Sequence, residues 1–125
     1  MFDVVPTKVK YIGATPGADA NTYVLFNSFV SQIGSGGLAM HGIRKVVLDL
    51  DCNNAGTLKE YKSQDGSTWT QINQEAIAAP AATAGVKRDY PVGAAEYWKL
   101  EWVNGGVAQN PWDVDILLET QRAMA

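Results

Sequence analysis

The sequence predicts an all-β protein, an antiparallel β-sandwich of jelly-roll type with seven or eight strands. Three observations carry the prediction. Apolar residues recur with period two in several short runs, Gly- and Asn-rich turn signals separate those runs, and helical periodicity is almost missing. Regularly spaced short strands of this kind close into a sandwich or jelly roll.

The clearest run is Lys45 to Cys52, where Val46, Leu48, Leu50 and Cys52 share one face and Val47, Asp49 and Asp51 the other. Tyr97 to Asn104 repeats the pattern, with Trp98, Leu100 and Trp102 opposite Tyr97, Lys99, Glu101 and Val103. Asp113 to Gln121 does so again through Val114, Ile116 and Leu118, with Leu117 interrupting the polar side. Val4 to Ile12 and Thr22 to Ile33 are rich in the β-branched and aromatic residues that suit a pleated surface. In the second, Tyr23, Leu25 and Phe29 alternate with Val24, Phe26 and Val30, so both faces are apolar and both are expected to be covered. Turns are expected at Thr15-Pro16-Gly17, Gly34 to Gly37, Asn53 to Gly56, Asp65-Gly66 and Asn104 to Gly106. The Ala-rich stretch Gln74 to Ala84, broken by Pro80, reads as a loop, and Thr120 to Ala125 as a strand end with a frayed tail.

At 125 residues the chain suits one domain, 1–125, in which 1–12 form an N-terminal arm or an edge strand. Its 46% apolar content favours a packed core, and charged residues are only 18%, below the usual share of about 25%. A net charge of −3, with both signs interspersed, creates no positive field for a phosphate backbone, so nucleic acid is not an expected partner. No apolar run approaches the roughly 18 residues of a membrane span. Met1 to Pro6 lacks a basic n-region and an apolar h-region, so synthesis in the cytoplasm without an export signal is expected.

Candidate chemistry is sparse. Cys52 is the single cysteine, which excludes an internal disulfide and a multi-cysteine zinc site, and its neighbours Leu48 and Leu50 make it a small core residue. A nucleophilic role would need a base, and the chain has only His41, in a glycine-bounded loop. The pairs Asp49 with Asp51 and Asp113 with Asp115 stand at i, i+2 on strands. Two carboxylates supply too few of the six to eight oxygens calcium takes, and a solvated outer face explains them better. No nucleophile, base and orienting group can be assembled, so the expected protein is not an enzyme and uses no cofactor and no metal.

The most distinctive string is Ser63-Gln64-Asp65-Gly66-Ser67-Thr68-Trp69. Gly66 supplies a positive φ, Asp65 accepts backbone N–H groups within the turn, and Trp69 folds over the core edge. Ser63, Asp65, Gly66 and Trp69 therefore build a hairpin rather than a reactive site. The string is similar to the Asp box of β-propellers with one residue missing, and to a string in galactose-binding-like discoidin domains, in both of which it is a folding element. Exposed aromatic faces also serve sugar-binding modules, and Tyr61, Tyr90, Tyr97 and Trp112 are the candidates less clearly inside.

Gly56-Thr57-Leu58, the Ser63 to Trp69 hairpin, Tyr97 to Gly105, Ala108-Gln109 and a last strand, in that order, resemble small β-sandwich structural proteins of tailed bacteriophages. The resemblance covers residues 45 to 120, with Lys99 where those proteins carry Arg. It implies a virion component, foremost a capsid cement or decoration protein stabilising the phage head, or else a tail-associated one. The implied partners are a major capsid protein or other virion proteins, and the implied location is the virion. Few charges, an apolar arm and the two-faced strand add an expectation of a homo-oligomer, a trimer. Phe2, Val4, Val5, Phe26, Phe29, His41 and Trp112 are its expected interface residues, with the Gly34 to Gly42 loop beside them. The alternative reading is a discoidin-like carbohydrate-binding module.

Overall fold

The computed structural model describes residues 2–29, 42–92 and 97–123. Eight strands and one short helix follow in order: β1 (Phe2–Lys10), β2 (Thr22–Phe29), β3 (Gly42–Asp51), β4 (Gly56–Ser63), β5 (Thr70–Ile77), α1 (Ala79–Thr83), β6 (Val86–Pro91), β7 (Tyr97–Asn104) and β8 (Asp113–Ala123). They form two four-stranded sheets, β1-β8-β3-β6 and β2-β7-β4-β5, antiparallel throughout. The interleaved order is that of a jelly roll, in which every connection crosses from one sheet to the other except the β4–β5 hairpin.

The period-two runs place the core where parity demands. Val46, Leu48, Leu50 and Cys52 of β3 and its exit meet Val114, Ile116 and Leu118 of β8 in the first sheet. Leu58 of β4 and Trp98, Leu100 and Trp102 of β7 face them from the second. Burying a large apolar side chain is worth about 1.5–3 kcal/mol each, and Trp98 and Trp102 are the largest of those fully buried. Gly56 is required by this packing, since a Cβ there would lie 2.0 Å from the Trp102 ring.

Four expectations are corrected, and the choice between an N-terminal arm and an edge strand is decided. The two-faced apolar pattern of β2 does not mean cover on both sides: the register slips between Val24 and Phe26, leaving Leu25 as the extra residue of a bulge. Leu25 and Phe26 both turn into the core, and Val24 stays 46% exposed. Phe26 is thus a core residue, not an interface residue. Gln74 to Ala84 is not a loop: it completes β5 and then forms α1, with Pro80 in the first turn, where its missing N–H costs nothing. Trp69 lies outside the core, as described below. The N-terminal segment pairs residue for residue with β8, from Phe2↔Ala123 to Lys10↔Asp115, and is an edge strand.

All four sheet edges carry features that oppose pairing with another chain. β1 has Pro6, Lys8 and Lys10, and β6 has Lys87, Arg88, Asp89 and Pro91. β2 is bulged at Leu25, and β5 at Ile72, which the register skips between Gln71 and Asn73.

Candidate binding cleft

β4 and β7 run antiparallel, with Ser63 beside Tyr97 at one end of the sandwich and Gly56 beside Asn104 at the other. The two ends are built differently.

The Asn104 end is cross-braced by buried amides, with a smaller cleft of about 500 Å³ beside it, lined by Lys8 to Tyr11, Gly13, Thr15 and Trp112 to Ile116. The Asn104 Nδ2 amide donates to the carbonyls of Gly17, Asp19 and Val107 at 2.9, 3.0 and 3.0 Å. Its Oδ1 accepts from Trp102 Nε1 at 3.2 Å and from Gln109 Nε2 at 2.9 Å. Gln109 in turn accepts the backbone N–H groups of Asn53 and Asn54 at 3.1 and 2.9 Å and donates to the Asn54 carbonyl at 3.0 Å. Three loops far apart in sequence are thereby joined by two buried amides. Trp112 packs on this end with Tyr11, Tyr23 and Trp102, at ring separations of 6.1, 6.4 and 5.8 Å. That contact accounts for much of its surface.

The opposite end carries a cleft among the described residues. A cleft of about 740 Å³ lies between the β4–β5 hairpin and the end of β6, lined by Lys62 to Asp65, Thr68, Thr70, Ile72, Pro91, Val92 and Trp98. That volume falls within the range of ligand sites, roughly 300–1,000 Å³.

Its hairpin wall is held on both sides. Within the turn, the Ser63 hydroxyl donates to Asp65 Oδ1 at 2.9 Å and accepts the N–H groups of Asp65 and Gly66 at 3.3 and 2.9 Å. Asp65 Oδ1 also accepts the N–H groups of Ser67 and Thr68 at 2.8 and 2.7 Å. Gly66 has the φ of 78° this path requires. These donors hold the Asp65 carboxyl well below the usual carboxylate range.

On the hairpin's other side, Trp69 reaches over the outer face of the second sheet. Lys99 Nζ stands 4.4 Å from the Trp69 ring centre and 4.9 Å from that of Tyr61. It also pairs with Glu101 at 3.2 Å. The two charged side chains keep only 15% and 13% of their exposure, so the rings act as their roof. Burial and the neighbouring Glu101 carboxylate raise the Tyr61 phenol.

Floor and base are fixed as well. Trp98 Nε1 donates to Glu60 Oε2 at 2.7 Å, and the ring packs against Phe26 and Tyr90 at 6.0 and 5.5 Å. Further along the same flank, Arg88 of β6 grips Glu75 of β5 through Nε and Nη2, at 2.7 to 3.0 Å, joining the edge strands of the two sheets. A cleft whose walls are already ordered spends little free energy on ordering when it binds.

The remaining sequence candidates do not converge here. Cys52 is buried, and burial with the nearby Asp51 charge pushes its thiol up to about 11, so it stays protonated at neutral pH. His41 lies outside the described residues, as does the loop 34–41. Phe2, Val4 and Val5 are placed in β1 and Phe29 in β2, opposite Tyr97. Asp49 stands beside Asp115 and Asp51 beside Asp113 on the outer face, with Lys87 and Lys10 flanking the first pair. Among the described residues, no three His, Cys, Asp or Glu side chains are placed to hold a metal ion. No described helix is long and apolar enough to cross a membrane. Glu60, Asn104 and Gln109 were not singled out by sequence reasoning; for Asn104 the Asn-Gly pair signalled only a turn.

No family model and no curated protein matches the chain. Among solved structures it is similar to PirA, at 9% identity and a TM-score of 0.49, over 93% of this chain and 92% of that one. It is also similar to the PBSX exported protein XepA, at 20% identity and a TM-score of 0.46, over 91% of this chain and 41% of that one. A third is a protein of Bacillus endospore appendages, which form disulfide-linked pili, at 9% identity and a TM-score of 0.47, over 100% and 88%. At such identities and TM-scores the likeness carries no function across to this chain. The expected kinship with capsid decoration proteins does not hold, since none of these is one. The strings that suggested it have structural explanations, a local turn for Ser63 to Trp69 and a long-range end latch for Asn104 to Gln109. A sandwich of any ancestry can use both.

Proposed function

We propose that the chain is a non-catalytic recognition module that binds a carbohydrate in the cleft beside the β4–β5 hairpin. The observation that carries the reading is the cleft itself: concave, walled by a hydrogen-bonded turn, with polar groups from Lys62, Gln64 and Thr70 around an apolar base of Ile72, Pro91 and Val92. Sugars suit such a lining, because their hydroxyls take the polar rim and their C–H faces lie against apolar side chains. Chemistry on the bound ligand lacks support among the described residues, where the cleft lining holds no activated nucleophile and Cys52 is buried elsewhere.

Assembly into a homo-trimer has less support than the sequence suggests. Phe26 is spent in the core, and every sheet edge is blunted, so an assembly would have to use sheet faces or loops.

The test is a glycan array probed with the full chain and with Thr70→Trp, which fills the cleft from an exposed position. A defined set of glycans should bind the parent and be lost in the variant at unchanged melting temperature. A silent array, or binding that survives the substitution, overturns the reading.

A further inference from the structure

The polar groups that line the cleft are not equally free, and the difference points to a class of sugar. Ser63 Oγ already makes three hydrogen bonds, one donated and two accepted. Asp65 Oδ1 accepts three. The Thr68 hydroxyl is also engaged with Asp65. These groups are committed to the turn. Its N–H donors converge on the Asp65 carboxylate and offset its charge where it stands.

What remains to meet a ligand is the Lys62 ammonium, the Gln64 amide and the Thr70 hydroxyl, above Ile72, which is 46% exposed. Three cations elsewhere are matched, Lys45 with Glu119 and Asp89, Arg88 with Glu75 and Lys99 with Glu101, but none of these lines the cleft. Among the described residues Lys62 has no ion pair, although it is the one cation lining the cleft.

We infer that the cleft selects an acidic sugar, a hexuronate or a similar carboxylate-bearing residue of an oligosaccharide, whose carboxylate meets Lys62 while its ring rests on Ile72 and Pro91. The inference rests on the carbohydrate reading of the same cleft. An ammonium–carboxylate hydrogen bond is of the charge-assisted kind and gains from the low dielectric of a concave wall. Gln64 and Thr70 would then read ring hydroxyls, for which neutral donors and acceptors suffice.

The experiment is calorimetric titration of the full chain with matched oligosaccharides that differ only in a uronate against the parent hexose, at low and high salt. The acidic member should bind about tenfold more tightly, the worth of one hydrogen bond to a charged group. That preference should shrink with salt, vanish in Lys62→Gln and persist in Lys62→Arg. Equal binding of both members, or a preference that survives Lys62→Gln, overturns the acidic selection and leaves the cleft as a carbohydrate site. Failure of every oligosaccharide to bind overturns both.

Discussion

Asp65 holds its turn with a charged carboxylate, and this makes the hairpin sensitive to acid. Its folded-state pKa lies below the unfolded value of about 3.9, so its contribution is complete above that value. It is lost as pH falls through the folded value. Urea midpoints taken between neutral pH and strong acid should therefore fall less steeply for Asp65→Asn than for the parent; identical slopes would remove the carboxylate from the account. Asn104 makes a larger demand. Asn104→Asp keeps the shape but sets a carboxylate against the carbonyls of Gly17, Asp19 and Val107. It should cost on the order of 3 kcal/mol, read as a lowered urea midpoint. The Asp65 turn was legible in the sequence because its donors lie within three residues. The Asn104 latch was not, because its partners Gly17 and Asp19 stand 87 and 85 residues away. Nothing local to an Asn-Gly pair separates a turn from a latch.

Among the elements, β7, β8 and the part of β3 from Lys45 onward could be read directly because alternation survives along them; the irregularity of β3 lies before it, between Ile43 and Lys45. β2 could not, since one inserted residue at Leu25 moves every later side chain to the other face. The bulge imitates a strand covered twice. α1 escaped notice for a different reason: five residues are too few to show a helical period. The β4–β5 hairpin mixes the two cases. Its turn was plain, but Trp69 was expected over the core and instead roofs Lys99, because the ring's direction depends on which face of β7 carries the cation. Trp69→Ala should accordingly cost about 1–2 kcal/mol, from lost packing and cation–ring attraction. It should also weaken ligand binding several-fold by loosening the cleft wall, which denaturation and titration of one variant would measure together. Unchanged affinity would mean that the wall is held by the Asp65 turn alone.

For the molecule as a whole, the two ends of one sandwich divide the work. Buried amides brace the Asn104 end, while the hairpin end carries, among the described residues, the larger cleft with an ordered wall. The fold class was legible because period two and turn chemistry recur along the chain. The cleft was not, because Lys62 and Ile72 lie on the β4–β5 hairpin of one sheet and Val92 follows β6 of the other, and the crossover from β5 to β6 is what brings the two walls together. The described sheet edges carry prolines, charges or bulges that oppose pairing with other chains, and the proposed recognition uses the cleft instead. The most direct test is a backbone amide NMR titration with a glycan that the array selects. Shifts should gather at residues 62–72, 91, 92 and 98 and spare the latch at 53, 54 and 104–110. Shifts centred on the latch, or on the outer face of either sheet, would contradict the account.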